Sequence, residues 1–318
     1  MAIIYLPLEH IDMRYTKYLD EIVTDYLETN NIKHYKLFPE IPPREIKAGS
    51  FLDAPTTIEF KSKQMAMLAE MYHNDTIKDG DIIFTTDLWF PGIEGIAYLN
   101  YFTGKKVKLR GFIHAGSFTD TDFVRDMERW AKGFEDILFD ISEKIYVASD
   151  FIKNDLLKKR YISNDKIVVS GLPLDNKNFI EYKQKDRENI IIFNGRNVDE
   201  KQPWLFDQLE ERLGHKAKFV NTQKQKLSKQ EYYKLLGKAK GVVSFALQEN
   251  FGIGVNEAVE LGCIPILPNR LVYPEYYRKE YLYDNFEECV NKVEKVIDNK
   301  LPQTKGRYFF NIKSWFEC

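Results

Sequence analysis

Among 318 residues only three are cysteine, Cys263, Cys289 and Cys318. Their odd number and wide spacing exclude a disulfide framework and a cysteine zinc site, and a reducing compartment is expected. Charge of one sign is also missing: 46 lysines and arginines face 48 aspartates and glutamates, a formal net charge of −2. The whole molecule therefore exerts no global pull on nucleic acid or anionic membrane, and any such partner must meet a local patch. No apolar run approaches the ~20 residues of a membrane helix. The first ten residues, Met1 to His10, lack the basic region and apolar stretch of a signal peptide. No membrane insertion and a cytoplasmic location are expected. Tandem repeats and low-complexity tracts are lacking too. What is present is a 44% hydrophobic content over a length that can bury two cores of ordinary domain size.

Short apolar runs alternate with helical patterns along the whole chain, which predicts doubly wound α/β architecture. In the first half, strands are expected at 2–6, 81–86, 108–114, 144–149 and 166–169, with a helix over 15–27, whose Tyr15, Tyr18, Ile22, Val23, Tyr26 and Leu27 follow the helical repeat. In the second half the alternation predicts strands at 190–194, 218–220, 241–245 and 263–267. Helices are predicted over 203–213, 228–240, 254–261 and 285–298. Ser228 and Glu231 form a capping box ahead of the second of these helices. A hinge is placed near residues 171 to 186, giving domains of 1–172 and 173–302.

The most informative segment runs Glu249-Asn250-Phe251-Gly252-Ile253-Gly254-Val255-Asn256-Glu257-Ala258-Val259-Glu260-Leu261-Gly262. It follows the apolar run 241–245 and enters a helix near Gly254. Unpaired N–H groups and the positive end of the helix dipole at such a start suit a diphosphate, and Gly252 and Gly254 let it approach closely. Glu249, on the loop, suits hydrogen bonds to sugar hydroxyls, and Glu257, in the first helical turn, suits a ribose diol. The same residues also fit a plain strand, glycine turn and helix. About fifty residues earlier, Asn194-Gly195-Arg196-Asn197-Val198-Asp199-Glu200-Lys201 follows the apolar run 190–193. A strand thus delivers Gly195 and Arg196 to the end where open α/β sheets bind ligands. Lys201 follows at the start of the next helix, which gives two cations for a diphosphate.

The first segment resembles the Glu-x7-Glu signature of retaining glycosyltransferases of family four, with Glu260 where that family has a second small residue. The second resembles the family's Gly-Arg-x-x-x-Glu-Lys motif. The segment from Asp165 to Phe179 resembles its interdomain stretch. The resemblance covers about residues 140 to 300. It implies the GT-B fold: two Rossmann-like domains facing a cleft, the second (173–302) holding the nucleotide sugar, and an aromatic tail (303–318) packing back on the first. It also implies a retaining sugar transfer from a nucleoside diphosphate sugar to a hydroxyl, with no cofactor and no metal. Donor-binding candidates are Gly195, Arg196, Lys201, Glu249, Asn250, Phe251, Gly252, Ile253, Gly254 and Glu257. Catalytic candidates are His114, Glu249, Arg196 and Lys201, the cations stabilising charge on the leaving diphosphate.

The first domain is expected to hold the acceptor, with Glu9, Arg14, Asp87 and His114 as its candidates. His114 ends a strand where related GT-B enzymes carry a histidine facing the donor sugar; a core histidine is the plainer reading. The family's glycine-rich loop after the first strand is replaced by Pro7-Leu8-Glu9-His10-Ile11-Asp12-Met13-Arg14-Tyr15, where polar side chains substitute. Asp120-Thr121-Asp122 matches the Asp-x-Asp metal motif of a different glycosyltransferase architecture, GT-A, and is set aside because the second half reads as GT-B. Segments around Tyr5 to Glu9, Arg14 to Thr16, Asp87 to Gly92 and His114 to Gly116 resemble glycosyltransferases encoded by bacteriophages, some of which modify hydroxymethylated DNA bases. DNA carrying such bases is therefore a candidate partner, in a host cytoplasm. The basic runs Lys105 to Arg110 and Lys158 to Arg160 would supply phosphate contacts, or else form solvated faces. A glycan or small-molecule acceptor, a nucleotide-sugar epimerase and a non-catalytic nucleotide-sugar-binding module remain alternatives.

Overall fold

A computed structural model describes residues 1–11, 14–41, 53–122 and 124–317. Asp12 and Met13 of the first loop, and Cys318, lie outside the described residues. The chain divides into two compact units, Met1–Gly171 with Phe310–Cys318, and Leu172–Phe309.

Unit 1 runs β1 (Ile3–Leu6), α1 (Thr16–Thr29), β2 (His34–Lys36), α2 (Ala54–His73), β3 (Ile82–Thr85), α3 (Gly95–Thr103), β4 (Lys108–Phe112), α4 (Glu128–Ile141), β5 (Ser142–Val147), α5 (Asp150–Lys159) and β6 (Ile167–Val169). The six strands form one parallel sheet in the order β2-β1-β3-β4-β5-β6. Every residue of β1 and β3 is buried, as expected of a parallel sheet covered on both faces. Ile4, Leu6, Ile83, Leu109, Ile145 and Val147 form the strand side of the core. Strand order reverses between β1 and β3, so the loops after these two strands part there and leave a crevice at their carboxyl ends.

Helices α2 and α3 are not marked by apolar spacing. In α2 the apolar residues Ile58, Phe60, Met65, Met67, Leu68 and Met71 scatter around the cylinder instead of forming one stripe. Its start is set by Asp53, whose carboxylate accepts the Thr56 N–H at 3.1 Å, with Pro55 in the first turn.

Unit 2 runs α6 (Asn176–Phe179), β7 (Glu188–Phe193), α7 (Pro203–Leu213), β8 (Lys218–Asn221), α8 (Lys229–Lys238), β9 (Ala239–Val243), α9 (Ile253–Glu260), β10 (Ile264–Pro268), α10 (Tyr273–Tyr276), β11 (Leu282–Tyr283) and α11 (Phe286–Ile297). Its parallel sheet has the order β11-β10-β9-β7-β8. Here the reversal falls between β7 and β9. Ser228 and Glu231 form the expected reciprocal box: Glu231 N–H donates to Ser228 Oγ at 3.3 Å and Ser228 N–H to Glu231 Oε2 at 2.8 Å.

The tail returns to unit 1 through α12 (Lys313–Phe316). Trp315 is fully buried there against Phe84, Phe112 and Phe310. The Asn311 N–H donates to the Ser170 carbonyl at 2.8 Å, and Arg110 donates to the Glu317 carbonyl at 3.1 Å. The tail joins unit 1 from Phe310, seven residues later than the expected 303, because 303–309 is held by unit 2. The Arg307 N–H donates to the Tyr276 carbonyl at 3.0 Å, and Tyr308 Oη donates to Glu260 at 2.5 Å. Among the described residues no helix is long and apolar enough to cross a membrane.

Candidate functional site

The two motifs of unit 2 meet at the reversal between β7 and β9. β7 ends at Phe193, and the loop 194–202 leaves its carboxyl end beside the loop 244–252 from β9. A Cβ on Gly195 would come within 2.8 Å of the Phe193 ring, so a larger residue there would displace that side chain. Lys201 lies in a short 3-10 turn before α7 and is buried. Its ammonium donates to the Gln248 carbonyl and sits 3.3 Å from Glu249 Oε2. The other oxygen of Glu249 accepts the Gly252 N–H at 2.9 Å. One carboxylate thus ties the cation to the turn that starts α9. Gly252 takes φ +77°, a left-handed conformation that favours glycine. Arg196 pairs with Glu200. Asn194 donates to the Gly254 carbonyl at 2.6 Å, an approach that a Cβ on Gly254 would crowd at 3.0 Å. A small pocket is lined by Gly195, Lys201, Ser244, Glu249, Gly254 and Tyr273.

Glu257 departs from expectation. α9 begins at Ile253, so Glu257 falls in its second turn, where the side chain is 7% exposed. Tyr233 Oη donates to Oε1 at 3.1 Å and Tyr232 Oη to Oε2 at 3.4 Å. Burial pushes the carboxyl up to about 7, against the opposing pull of the tyrosine hydroxyls and Lys229. Phe251 is buried against Tyr276 and Tyr308, and so anchors the loop. Ile253 opens α9, and Asn250 is half-buried beside Glu249.

Sequence reasoning did not single out Asn194, Gln248, Tyr232, Tyr233 or Tyr273. Asn194 had a signal in its position directly between strand and glycine. The tyrosines come from α8 and α10, and only the fold brings them near.

In unit 1, the loops at the carboxyl ends of β1, β3 and β4 carry the acceptor candidates. Asp87 accepts the Trp89 N–H at 3.0 Å and lies 3.7 Å from the buried Lys61 ammonium. His114 Nε2 is 2.8 Å from the Thr86 carbonyl. A carbonyl only accepts, so Nε2 carries the hydrogen, and a neutral ring then offers Nδ1 as an acceptor. Burial holds the His114 pKa below its ordinary value. The Tyr15 ring is 5.1 Å from the imidazole. Glu9 is buried and accepts from Thr57, while Arg14 is half-buried at the end of the first loop.

The Asp-x-Asp segment carries its own partners: Asp120 pairs with Lys159 at 2.9 Å, and Asp122 accepts the Val124 N–H at 3.1 Å. Much of each basic run is similarly committed. Arg110 is buried against Glu143, and Arg160 pairs with the fully buried Glu135 at 2.9 Å. Lys105 pairs with Asp75 and Lys108 with Glu143. These runs read as basic in sequence, but only Lys106 and Lys158 stand exposed.

The two parallel-sheet units form a GT-B fold. The lipopolysaccharide outer core galactosyltransferase WaaB superposes with a TM-score of 0.60, 14% identity, and coverage of 94% of this chain and 91% of that one. HepE of Anabaena, solved in complex with UDP, gives 0.60, 12%, 95% and 92%. The catalytic domain of starch synthase IV from Arabidopsis thaliana, bound to ADP and acarbose, gives 0.61, 10%, 93% and 95%. In sequence, the tRNA-queuosine alpha-mannosyltransferase of Drosophila melanogaster is 42% identical over 91 residues, which is 29% of this chain and 23% of that protein. No family model matches.

Proposed function

We propose that this chain is a retaining, metal-independent glycosyltransferase of family four, bacteriophage-encoded, that moves a sugar from a nucleoside diphosphate sugar to a hydroxyl on a modified nucleobase. The observation that carries the reading is the Lys201, Glu249 and Gly252 arrangement at the β7–β9 reversal. It sets a buried cation and the start of α9 beside a carboxylate, at the sheet edge where open α/β folds take ligands. In this reading the diphosphate lies between Lys201, Arg196 and the first turn of α9. As the sugar leaves, these groups stabilise the negative charge that grows on the phosphate oxygen, so a divalent cation is not required. Glu249 then accepts from sugar hydroxyls and orients the anomeric carbon. His114 positions the sugar or the acceptor hydroxyl. Retention of configuration is carried over from the family resemblance.

The acceptor class rests on two likenesses. Some of the bacteriophage enzymes that the first domain resembles act on hydroxymethylated DNA bases, and the Drosophila relative is named for a modified nucleoside of tRNA. The test is donor turnover against UDP, GDP and ADP sugars, with and without EDTA, in the presence of hydroxymethylated duplex DNA, tRNA or a glycan. Turnover that survives EDTA and appears only with one of the nucleic acids is the expected result, with the anomeric configuration of the product matching the donor. Turnover on the glycan alone would overturn the acceptor, loss of turnover in EDTA would overturn metal independence, and no response to any nucleotide sugar would remove the reading of the site.

A further inference from the structure

A larger hollow, of about 450 Å³, lies elsewhere in unit 2, where the segment 302–307 passes α10 and the turn after it. It shares no residue with the β7–β9 pocket. Both ends of its rim are tied down: Tyr281 Oη donates to the Pro302 carbonyl at 3.2 Å, and the Arg307 N–H donates to the Tyr276 carbonyl at 3.0 Å. Between them, a Cβ on Gly306 would come within 2.1 Å of the Tyr308 ring.

Three cationic side chains line the hollow, Arg278, Lys305 and Arg307, against one carboxylate, Glu280. Among the described residues none of the three is in an ion pair, and the Arg307 guanidinium makes only contacts of 3.4 and 3.5 Å to the Pro274 and Tyr277 carbonyls. Arg110, Arg160, Arg196 and Arg212, by contrast, have carboxylate partners. Three exposed cations on an anchored rim, with most of their N–H donors unsatisfied by protein, fit an anion with several acceptor oxygens.

We propose that this hollow is a second anion site that takes a phosphate-bearing ligand, through Arg278, Lys305 and Arg307. Phosphate of this chemistry comes either from the backbone of a nucleic acid or from a free phosphorylated molecule. The site stands independently of sugar transfer at the β7–β9 site.

The experiment compares the full chain with a variant carrying Arg278→Ala, Lys305→Ala and Arg307→Ala. Two probes are used: a labelled 12-nucleotide single strand, followed by fluorescence anisotropy, and inorganic pyrophosphate, followed by titration calorimetry. As a control for bulk charge, a second variant carries Lys218→Ala and Lys226→Ala, both exposed lysines of the same unit. The triple variant is expected to melt as the wild type does and to bind at least one probe about tenfold more weakly or worse, while the control is expected to change little. Loss for the strand alone identifies a nucleic acid backbone. Loss of one pyrophosphate site identifies a free phosphorylated ligand, and a diphosphate bound at β7–β9 cancels because both chains retain it. Unchanged binding of both probes by the triple variant, or equal weakening in the control, would overturn the proposal.

Discussion

Glu257 provides the sharpest pH prediction. Its carboxyl lies in a nearly closed space beside Tyr232 and Tyr233, and burial raises its pKa from the ordinary 4.5 to about 7. The folded state therefore holds this proton more tightly than the unfolded chain. Between about pH 4.5 and about pH 7 the native state binds more protons, so stability falls as pH rises through that window and is level above it. The displacement corresponds to about 3 kcal/mol at about 1.36 kcal/mol per pH decade, and needs little discount for solvent because the group is nearly enclosed. Glu257→Gln removes the titration and keeps an oxygen for one tyrosine hydroxyl. Urea unfolding of both chains at about pH 5 and about pH 8 checks this. The wild type is expected to lose about 2 to 3 kcal/mol relative to the variant between the two conditions. Parallel pH dependences would show that Glu257 does not titrate in this range, and that its burial is relieved in solution. Nucleotide binding follows the same group. If the ionised carboxylate grips a ribose diol, wild-type affinity rises through about pH 7 and the variant shows no such rise.

Four further outcomes are expected. Lys201→Ala should weaken binding of the preferred nucleoside diphosphate by about 10- to 100-fold, because a buried charge-assisted contact is worth ~1.5–3 kcal/mol; an unchanged dissociation constant by calorimetry would remove Lys201 from the donor site. Arg160→Ala should cost about 3 to 5 kcal/mol of unfolding free energy by leaving Glu135 charged, fully buried and without its cation, and a loss under ~1 kcal/mol would refute the pairing. Trp315→Ala should destabilise unit 1 by about 3 to 5 kcal/mol through the emptied core position, which thermal unfolding reads. Gly252→Ala places a β-carbon on a left-handed backbone at a cost of about 1 kcal/mol or more, so diphosphate affinity should drop while the Gly80→Ala control, a surface turn with φ +81° and open space around it, leaves affinity unchanged.

The β7–β9 site was legible in sequence because its residues lie close together in the chain. Glu249 and Gly252 lie three residues apart, and Gly195 and Lys201 six, so strand, turn and helix start could be read from single stretches. Meeting across β7 and β9 then follows from parallel strand order alone. Burial was not legible in the same way. Glu257 sits on the right helix, but two tyrosines from α8 enclose it, and no spacing within the motif encodes them. Charge runs failed for the converse reason. Lys105 to Arg110 reads as a basic patch until the fold supplies Asp75 and Glu143 from elsewhere in unit 1. Helices α2 and α3 escaped because their apolar residues do not follow one stripe. In α3, Tyr98, Tyr101 and Phe102 stay exposed while only Ile96 is buried.

The candidate residues of unit 1 narrow the choice among the proposed chemistries. An epimerase would need carboxylates in unit 1 placed to give and take protons. Of the carboxylate candidates there, Glu9 accepts from Thr57, and Asp87 accepts the Trp89 N–H and lies 3.7 Å from the Lys61 ammonium, which in turn donates to the Trp89 carbonyl at 2.9 Å. That arrangement commits the Asp87 carboxylate to fixing the loop after β3. His114 differs: its Nε2 hydrogen is committed to the Thr86 carbonyl, and burial disfavours its charged form. A neutral histidine with an acceptor nitrogen can receive a hydroxyl hydrogen bond without abstracting the proton outright. Front-face transfer, in which the departing diphosphate itself takes up the acceptor proton, asks for a positioning group of that kind. His114→Gln should therefore lower transfer with little change in its pH dependence between about pH 7 and about pH 8.5, since the histidine it replaces is already neutral there. A pH profile that loses an ionisation in that range would instead make His114 a general base and set the front-face reading aside.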